Sequence, residues 1–411
     1  MKLEIGERTL DNGLTIIAVR NAGVYTYAAG LVLDVDMRDE FAEEEGVGNL
    51  IGDCLDEGTA HRTGVELAMA LDELGGRLLG NASGGTVMSP AKNSTAALVL
   101  LREMVFEPAF AEREVKRVRD EVLQEIEIEE SDPRQVASLR FQKEVYGAHP
   151  FARPARGSAK AVASRGADDL HRFHKKWFAP QGSYLAAGGP AEVETTLDEL
   201  EAAFSDVDGS VPEHVRPEPP VMTEGGVDIH LPMDREQVHV LLGHPGIRRS
   251  NPDFYALSVM DHVLGTGPGF TSRISRRLRD ELGLCYSVHA AISSSAGEEP
   301  GTFTAYIGTS PEHRQKAIDE FLAEIDRIRE EKVTEKELHD VQKYLTGSYV
   351  FAFERNTQLA RYAVRAKRFD LGFDHIERYP DLIRSVTRDD VQRVAQEYLR
   401  PEHLVRVSAG A

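Results

Sequence analysis

Asn49 and Asp53 stand four residues apart in the stretch 43–59, which reads E-E-E-G-V-G-N-L-I-G-D-C-L-D-E-G-T. On a helix that spacing puts an amide and a carboxylate on one face. Oxygen donors of this kind suit Mg²⁺ or Ca²⁺ better than softer transition metals. Between Asn49 and Asp53, Gly52 offers no side chain that could take a proton. Two histidine pairs also have spacings that could matter. His171 and His174 lie three apart on a helical pattern, where two imidazoles can share a metal, but Arg172, Lys175 and Lys176 oppose a cation there. The expectation for that pair is a solvated helix face. His239 and His244 straddle a strand pattern, and their odd separation sends them to opposite faces. The glycines of Gly265-Thr266-Gly267-Pro268-Gly269 are not followed by the Lys-Ser/Thr of a phosphate cradle. No Ser/His/Asp triad can be picked out, because a triad is defined by geometry.

The elements that must position these residues mix two periodicities. Strand-like runs occupy 26–35, 238–243 and 302–307, and helical patterns occupy 65–74, 95–106, 112–128, 315–329 and 389–399. Strands and helices do not alternate strictly, which favours α+β over a parallel doubly wound sheet. The chain also repeats itself once. Trp177 and Tyr398 are 221 residues apart, as are Asp169 and Asp390, while Glu112 and Glu335 are 223 apart. A nearly constant offset over separate elements indicates a duplicated domain, since a solenoid would repeat at a far shorter period. A stretch with Pro212, Pro217, Pro219 and Pro220 reads as an extended linker. The expected organisation is therefore a first domain over 1–207, a linker over 208–226 and a second domain over 227–411.

Composition narrows the partners. The 411 residues suffice for two or three domains, and 41% hydrophobic with 28% charged residues is an ordinary globular balance. A net charge of −20 excludes a nucleic-acid backbone as the natural ligand, which needs clustered Lys and Arg. Two cysteines, Cys54 and Cys285, cannot make a disulfide framework and suit a reducing compartment. The opening residues have no apolar signal core and no run is long enough to span a membrane, so the expected location is cytoplasmic.

Several ordered landmarks carry a resemblance over nearly the whole chain. They include Leu10-Asp11-Asn12-Gly13-Leu14, Met37-Arg38-Asp39-Glu40, the 43–59 stretch and Val122-Leu123-Gln124-Glu125-Ile126. His149-Pro150-Phe151 with Gly157, and Ser272-Arg273-Ile274 through Arg279 to Gly283-Leu284-Cys285-Tyr286, complete the series. Together they resemble the pitrilysin/insulinase-like zinc peptidases, the inverted-motif zincins. In that family an H-x-x-E-H helix turn supplies two zinc ligands and the base. Here those positions read Asn49, Gly52 and Asp53, and Glu125 stands in the third ligand's place. The resemblance implies two similar domains, each an antiparallel sheet with helices on one face, joined like a clam shell. It also implies that Arg279 and Tyr286 are the pair that reaches across the shell to a substrate carbonyl oxygen, a task suited to guanidinium and phenol donors. The family's substrate-pairing strand is less well matched, because Asn81-Ala82-Ser83 is displaced by two residues and flanked by glycines.

The resemblance and the missing ligands together imply an inactive peptidase-like subunit, without a cofactor of its own. It would pair with a zinc-bearing H-x-x-E-H paralogue as a heterodimer, or with itself, and share a peptide substrate. A structural scaffold of the same fold, or a hydrolase using Asn49, Asp53 and Glu125 around an unusual metal, are the alternatives. Restoring His at 49 and 53 and Glu at 52 is expected to recover zinc binding if the frame is intact.

Overall fold

The computed structural model describes residues 3–268 and 271–411. Its strands are β1 (Glu4–Thr9), β2 (Thr15–Arg20), β3 (Thr26–Val32), β4 (Arg77–Asn81), β5 (Gly84–Pro90) and β6 (Tyr184–Gly189). They continue with β7 (Val227–Pro232), β8 (Val238–Pro245), β9 (Val288–Ala291), β10 (Thr302–Thr309) and β11 (Val405–Gly410). The helices begin with α1 (Val47–Cys54), α2 (Gly64–Leu74), α3 (Ser94–Phe106), α4 (Glu112–Ser131), α5 (Pro133–Tyr146), α6 (Ala159–Ala163) and α7 (Ala167–Trp177). After these come α8 (Val193–Phe204), α9 (Phe254–Asp261), α10 (Arg314–Glu330), α11 (Glu335–Ser348), α12 (Asn356–Arg368), α13 (His375–Arg384) and α14 (Arg388–Tyr398).

Local chemistry marks their limits. Thr63 and Glu66 form a reciprocal capping box that starts α2, and Gly75 at φ +61° ends it. The same device, Thr334 with Glu337, starts α11.

Two compact units result. One runs to Glu127 and takes in Pro154–Arg216 and Val350–Glu377; the other holds Ile128–Arg153, Pro217–Tyr349 and Arg378–Ala411. These units differ from the contiguous stretches 1–207 and 227–411, because α5 belongs with the later strands and α12 with the earlier ones.

In the first unit the strand order is β1-β2-β6-β3-β5-β4. β6 runs parallel to β2 and antiparallel to β3, so the sheet carries one parallel pair among antiparallel ones. Adjacent residues of β6 show what covers each face. Ala187 joins a buried cluster with Leu98 and Leu101 of α3 and Leu200 and Phe204 of α8. Gly188 lies directly under Asn356 of α12, whose amide donates 2.7 Å to the Thr26 carbonyl. Helices therefore cover both faces.

The second unit repeats this plan in the order β7-β11-β8-β10-β9. β11 is parallel to β7 and antiparallel to β8. Val240, Leu242, Phe303 and Ile307 face Ile318 and Phe321 of α10 and Val391 and Val394 of α14. Leu241, Val405 and Val407 face Ala137, Phe141 and Val145 of α5. The pairs α7/α14 and β6/β11 are each 221 residues apart, the offset read from the sequence.

Candidate functional site

The first unit builds the counterpart of the family's metal helix. Glu40 caps α1, its carboxylate accepting from the Gly46 and Gly48 amides at 2.9 and 3.0 Å. That contact gives the Met37–Glu40 turn a structural purpose, since the first amides of a helix lack partners inside it. Gly46, at φ +80°, lets the chain enter α1 beside Arg156 and Gly157, where a Cβ would fall 2.2 Å from the Arg156 carbonyl oxygen. Leu50, Ile51 and Cys54 bury the inner stripe of the helix, and burial pushes the Cys54 thiol up to about 12, which makes it inert.

Asp53 lies within electrostatic reach of Glu125, and Asn49 stands one turn before Asp53 on α1. Asn49 is half-buried and Asp53 exposed. The Asp53 carboxyl sits above its ordinary value. Loss of surrounding water contributes most, Glu125 and Asp56 add to it, and Arg156 opposes. Arg156 also forms an ion pair with Glu125 at 2.5 Å. A guanidinium thus supplies the positive charge of the cluster. Sequence reasoning passed over Arg156; the signal was its place next to Gly157, a landmark already recognised.

Zinc does not fit these residues. They offer no imidazole or thiolate, and the only carboxylate of the third-ligand position is engaged by an arginine. Among the described residues no group of three or more His, Cys, Asp and Glu side chains could hold a metal ion.

Gly52 carries the sharpest constraint. A Cβ there would lie 2.6 Å from the Asn81 carbonyl carbon and 2.7 Å from the Ala82 nitrogen. Gly80 reciprocates, its own hypothetical Cβ falling 2.9 Å from the Gly52 carbonyl oxygen. The two glycines let α1 and the end of β4 close on one another, so chain backbone fills the space into which a catalytic glutamate would project. The expected recovery of zinc binding by His at 49 and 53 with Glu at 52 was conditional on an intact frame, and any side chain at 52 requires α1 and β4 to part.

The histidine pairs separate cleanly. His171 is exposed, but His174 is not a solvated residue, contrary to expectation. Its ring stacks on Phe178 at 4.7 Å, its Nε2 donates 2.8 Å to the Val105 carbonyl, and burial lowers it to about 4. Helical spacing cannot reveal that Phe110 and Phe178 close over it. His244 and His239 occupy opposite faces of β8 as expected. His244 is fully buried, donating from Nδ1 to the Pro245 carbonyl at 2.7 Å and accepting the Arg400 amide at Nε2.

In the second unit two π-helical turns, His262–Thr266 and Ser275–Glu281, precede Tyr286, and the later one carries Arg279. Such wide turns recur at functional sites. Gly265 is required by packing, since a Cβ would fall 2.3 Å from the Ala290 carbonyl oxygen of β9; Gly269 lies outside the described residues. The turn bearing Arg279 is pinned from several sides. Arg273 grips Glu337 of α11 with two hydrogen bonds of 2.8 and 3.1 Å, and Arg277 grips Glu320 of α10 at 2.8 and 3.2 Å. Leu278 is buried between them. Gly283, at φ +63°, turns the chain back so that the Arg279 guanidinium lies 5.4 Å above the Tyr286 ring. Tyr286 is 84% exposed, unlike most aromatic residues of the unit. Burial lifts the intervening Cys285 thiol to about 11, so it is no nucleophile.

The comparisons agree with this frame. The family model described as Insulinase (Peptidase family M16) matches residues 15–158, and the one described as Peptidase M16 inactive domain matches 166–345. The chain belongs to the M16, or insulinase, peptidase family. An uncharacterized zinc protease of Streptomyces coelicolor is 27% identical over 95% of this chain and 86% of its own. One of Mycobacterium tuberculosis is 28% identical over 95% of this chain and 90% of its own. Among solved structures, a peptidase M16 inactive domain from Pseudomonas fluorescens superposes with a TM-score of 0.91 at 23% identity, covering 99% of this chain and 98% of its own. A protease from Helicobacter pylori gives 0.90 at 17%, covering all of both chains. At these identities the structural likeness speaks for the fold.

Proposed function

We propose that this chain is the non-catalytic subunit of a zinc metallopeptidase, supplying Arg279 and Tyr286 to a substrate whose cleavage is carried out by an H-x-x-E-H paralogue. The observation that supports this reading most is an asymmetry of preservation. The α1 site has lost its ligands, its base and its space, whereas the Arg279 turn is held by two bidentate ion pairs and presents an exposed phenol. Guanidinium and phenol donors suit a peptide carbonyl that gains negative charge. Zinc belongs to the paralogue in this reading, and the substrates are peptides or unfolded segments. No helix among the described residues is long and apolar enough to cross a membrane, and both cysteines are free. The proposed compartment is the cytoplasm.

Metal analysis and a quenched-peptide assay test the first half of the proposal. The isolated chain should contain no stoichiometric zinc and cleave nothing. About one zinc per chain with chelator-sensitive cleavage would overturn it.

A further inference from the structure

A second cluster of polar side chains lies on the α5-covered face of the second sheet, towards its β9 edge. His289 of β9 is directly opposite Tyr306 of β10, their rings 5.3 Å apart. His239 of β8 approaches from the other side, its ring nearly parallel to Tyr306 and its Nδ1 2.9 Å from the phenol oxygen. Gly308 makes this possible, because the phenol and His239 lie over it, 3.3 and 3.4 Å from where a Cβ would be. From the first turn of α5, the Arg134 guanidinium covers the Tyr306 ring at 4.6 Å.

Burial sets where each proton resides. It keeps the Tyr306 phenol above its ordinary value and both histidines below theirs, with Arg134 adding to the depression at each imidazole. In the tautomer that a carboxylate ligand selects, the phenol donates to His239 Nδ1 and the ring proton sits on Nε2. The groups left to meet a ligand are the guanidinium, one N–H of His239 and one N–H of His289. Arg134 has no carboxylate partner among the described residues, although Arg273, Arg277, Arg314 and Arg393 of the same unit all have one. The acid that acts on this cluster is Asp132, which opposes the depression at His239 and also caps α5, one oxygen accepting the Arg134 and Gln135 amides at 2.7 and 3.4 Å. Cys285, whose thiol is kept protonated, is the remaining titratable neighbour of Tyr306. Three donors, one of them permanently charged, over an aromatic floor match a carboxylate.

We infer that Arg134, His239 and His289, positioned by Tyr306, form a carboxylate-binding subsite for a peptide, adjacent in sequence to Tyr286. The inference rests on the peptide-binding reading and adds a chemical preference to it. The carboxylate is either the C-terminus of the peptide or an acidic side chain.

Fluorescence polarisation on the isolated chain tests it. Four labelled versions of one peptide are compared, with a free or amidated C-terminus and with an internal Glu or Gln. Wild type should bind the carboxylate-bearing versions about tenfold more tightly than the fully neutral one. Arg134→Gln should abolish that preference, so that the four versions bind alike, and the version whose carboxylate matters in wild type identifies its source. An equal affinity for all four peptides in wild type overturns the subsite and leaves the peptide-binding reading standing. Failure to bind any of them overturns that reading as well. A histidine-resolved NMR titration with N-acetylglutamate gives a second measurement, in which the His239 and His289 rings should shift in wild type and stay fixed in Arg134→Gln. Absence of shifts in the wild-type rings contradicts the subsite independently of peptide affinity.

Discussion

Gly52 separates loss of chemistry from loss of space. A glycine inside a helix normally costs about 1 kcal/mol relative to alanine, so Gly52→Ala on propensity alone would stabilise. The contact with Asn81 and Ala82 reverses that sign, because overpacking against backbone typically costs ~1–3 kcal/mol. Gly52→Ala should therefore lower the urea midpoint, and the triple variant Asn49→His/Gly52→Glu/Asp53→His should remain zinc-free by metal analysis. A folded triple variant with stoichiometric zinc would show that α1 and β4 can part. Glu337 gives a second residue-scale prediction. Burial alone would raise its carboxyl, but Arg273 and the Thr334 cap outweigh it and hold it at about 2. A carboxylate depressed on folding stabilises above its unfolded value and loses that contribution as pH falls through the folded one. The loss should thus fall between the ordinary glutamate range, ~4.3, and about 2, and Glu337→Gln should flatten the stability–pH curve there. Glu337 is half-buried, and after allowance for solvent screening the contribution is on the order of 2 kcal/mol. An unchanged acid limb on thermal denaturation at stepped pH would contradict this.

At the scale of elements, the exchanged helices α5 and α12 decide what can fold alone. α12 covers β6, β3 and β2, yet it begins some 150 residues after the linker starts. A fragment ending at residue 207 keeps every strand of the first sheet but leaves the Gly188 face bare. It should be poorly soluble or molten, and co-expression with 208–411 should rescue it; a cooperative unfolding transition for the fragment alone would refute the point. The same exchange explains what could be read from the sequence. The capped and periodic elements were legible, with α2, α3, α10 and α14 falling within a residue or two of the expected spans. The 221-residue offset also carried over to whole strands and helices. Long-range exchange was not legible, because nothing in the periodicity of 133–146 or 356–368 says which sheet a helix will cover. Nor was the packing of His174, whose aromatic neighbours come from separate segments, nor the counter-ion Arg156, which meets Glu125 only through the fold.

At the scale of the whole molecule, the degenerate α1 frame contrasts with the proposed Arg279/Tyr286 pair. The α1 site was recognisable because three positions of a known frame held the wrong residues, and its closure by β4 became visible only in three dimensions. The Arg279/Tyr286 pair was suggested only by the family resemblance of 272–286, and the structure adds the Arg273–Glu337 and Arg277–Glu320 forks that hold its turn. The stretch around Pro212 is also more than a spacer, since His214 is held between Asp34 and Asp39 and stacks on Trp177. The most direct test of the shared-site claim is kcat/KM for a single peptide in a complex reconstituted with an H-x-x-E-H paralogue. Arg279→Ala and Tyr286→Phe should each assemble normally and lower kcat/KM by ~10²–10³, the usual consequence of removing one transition-state donor. Variants that form the complex and cleave as well as wild type would contradict the shared site and leave this chain a scaffold.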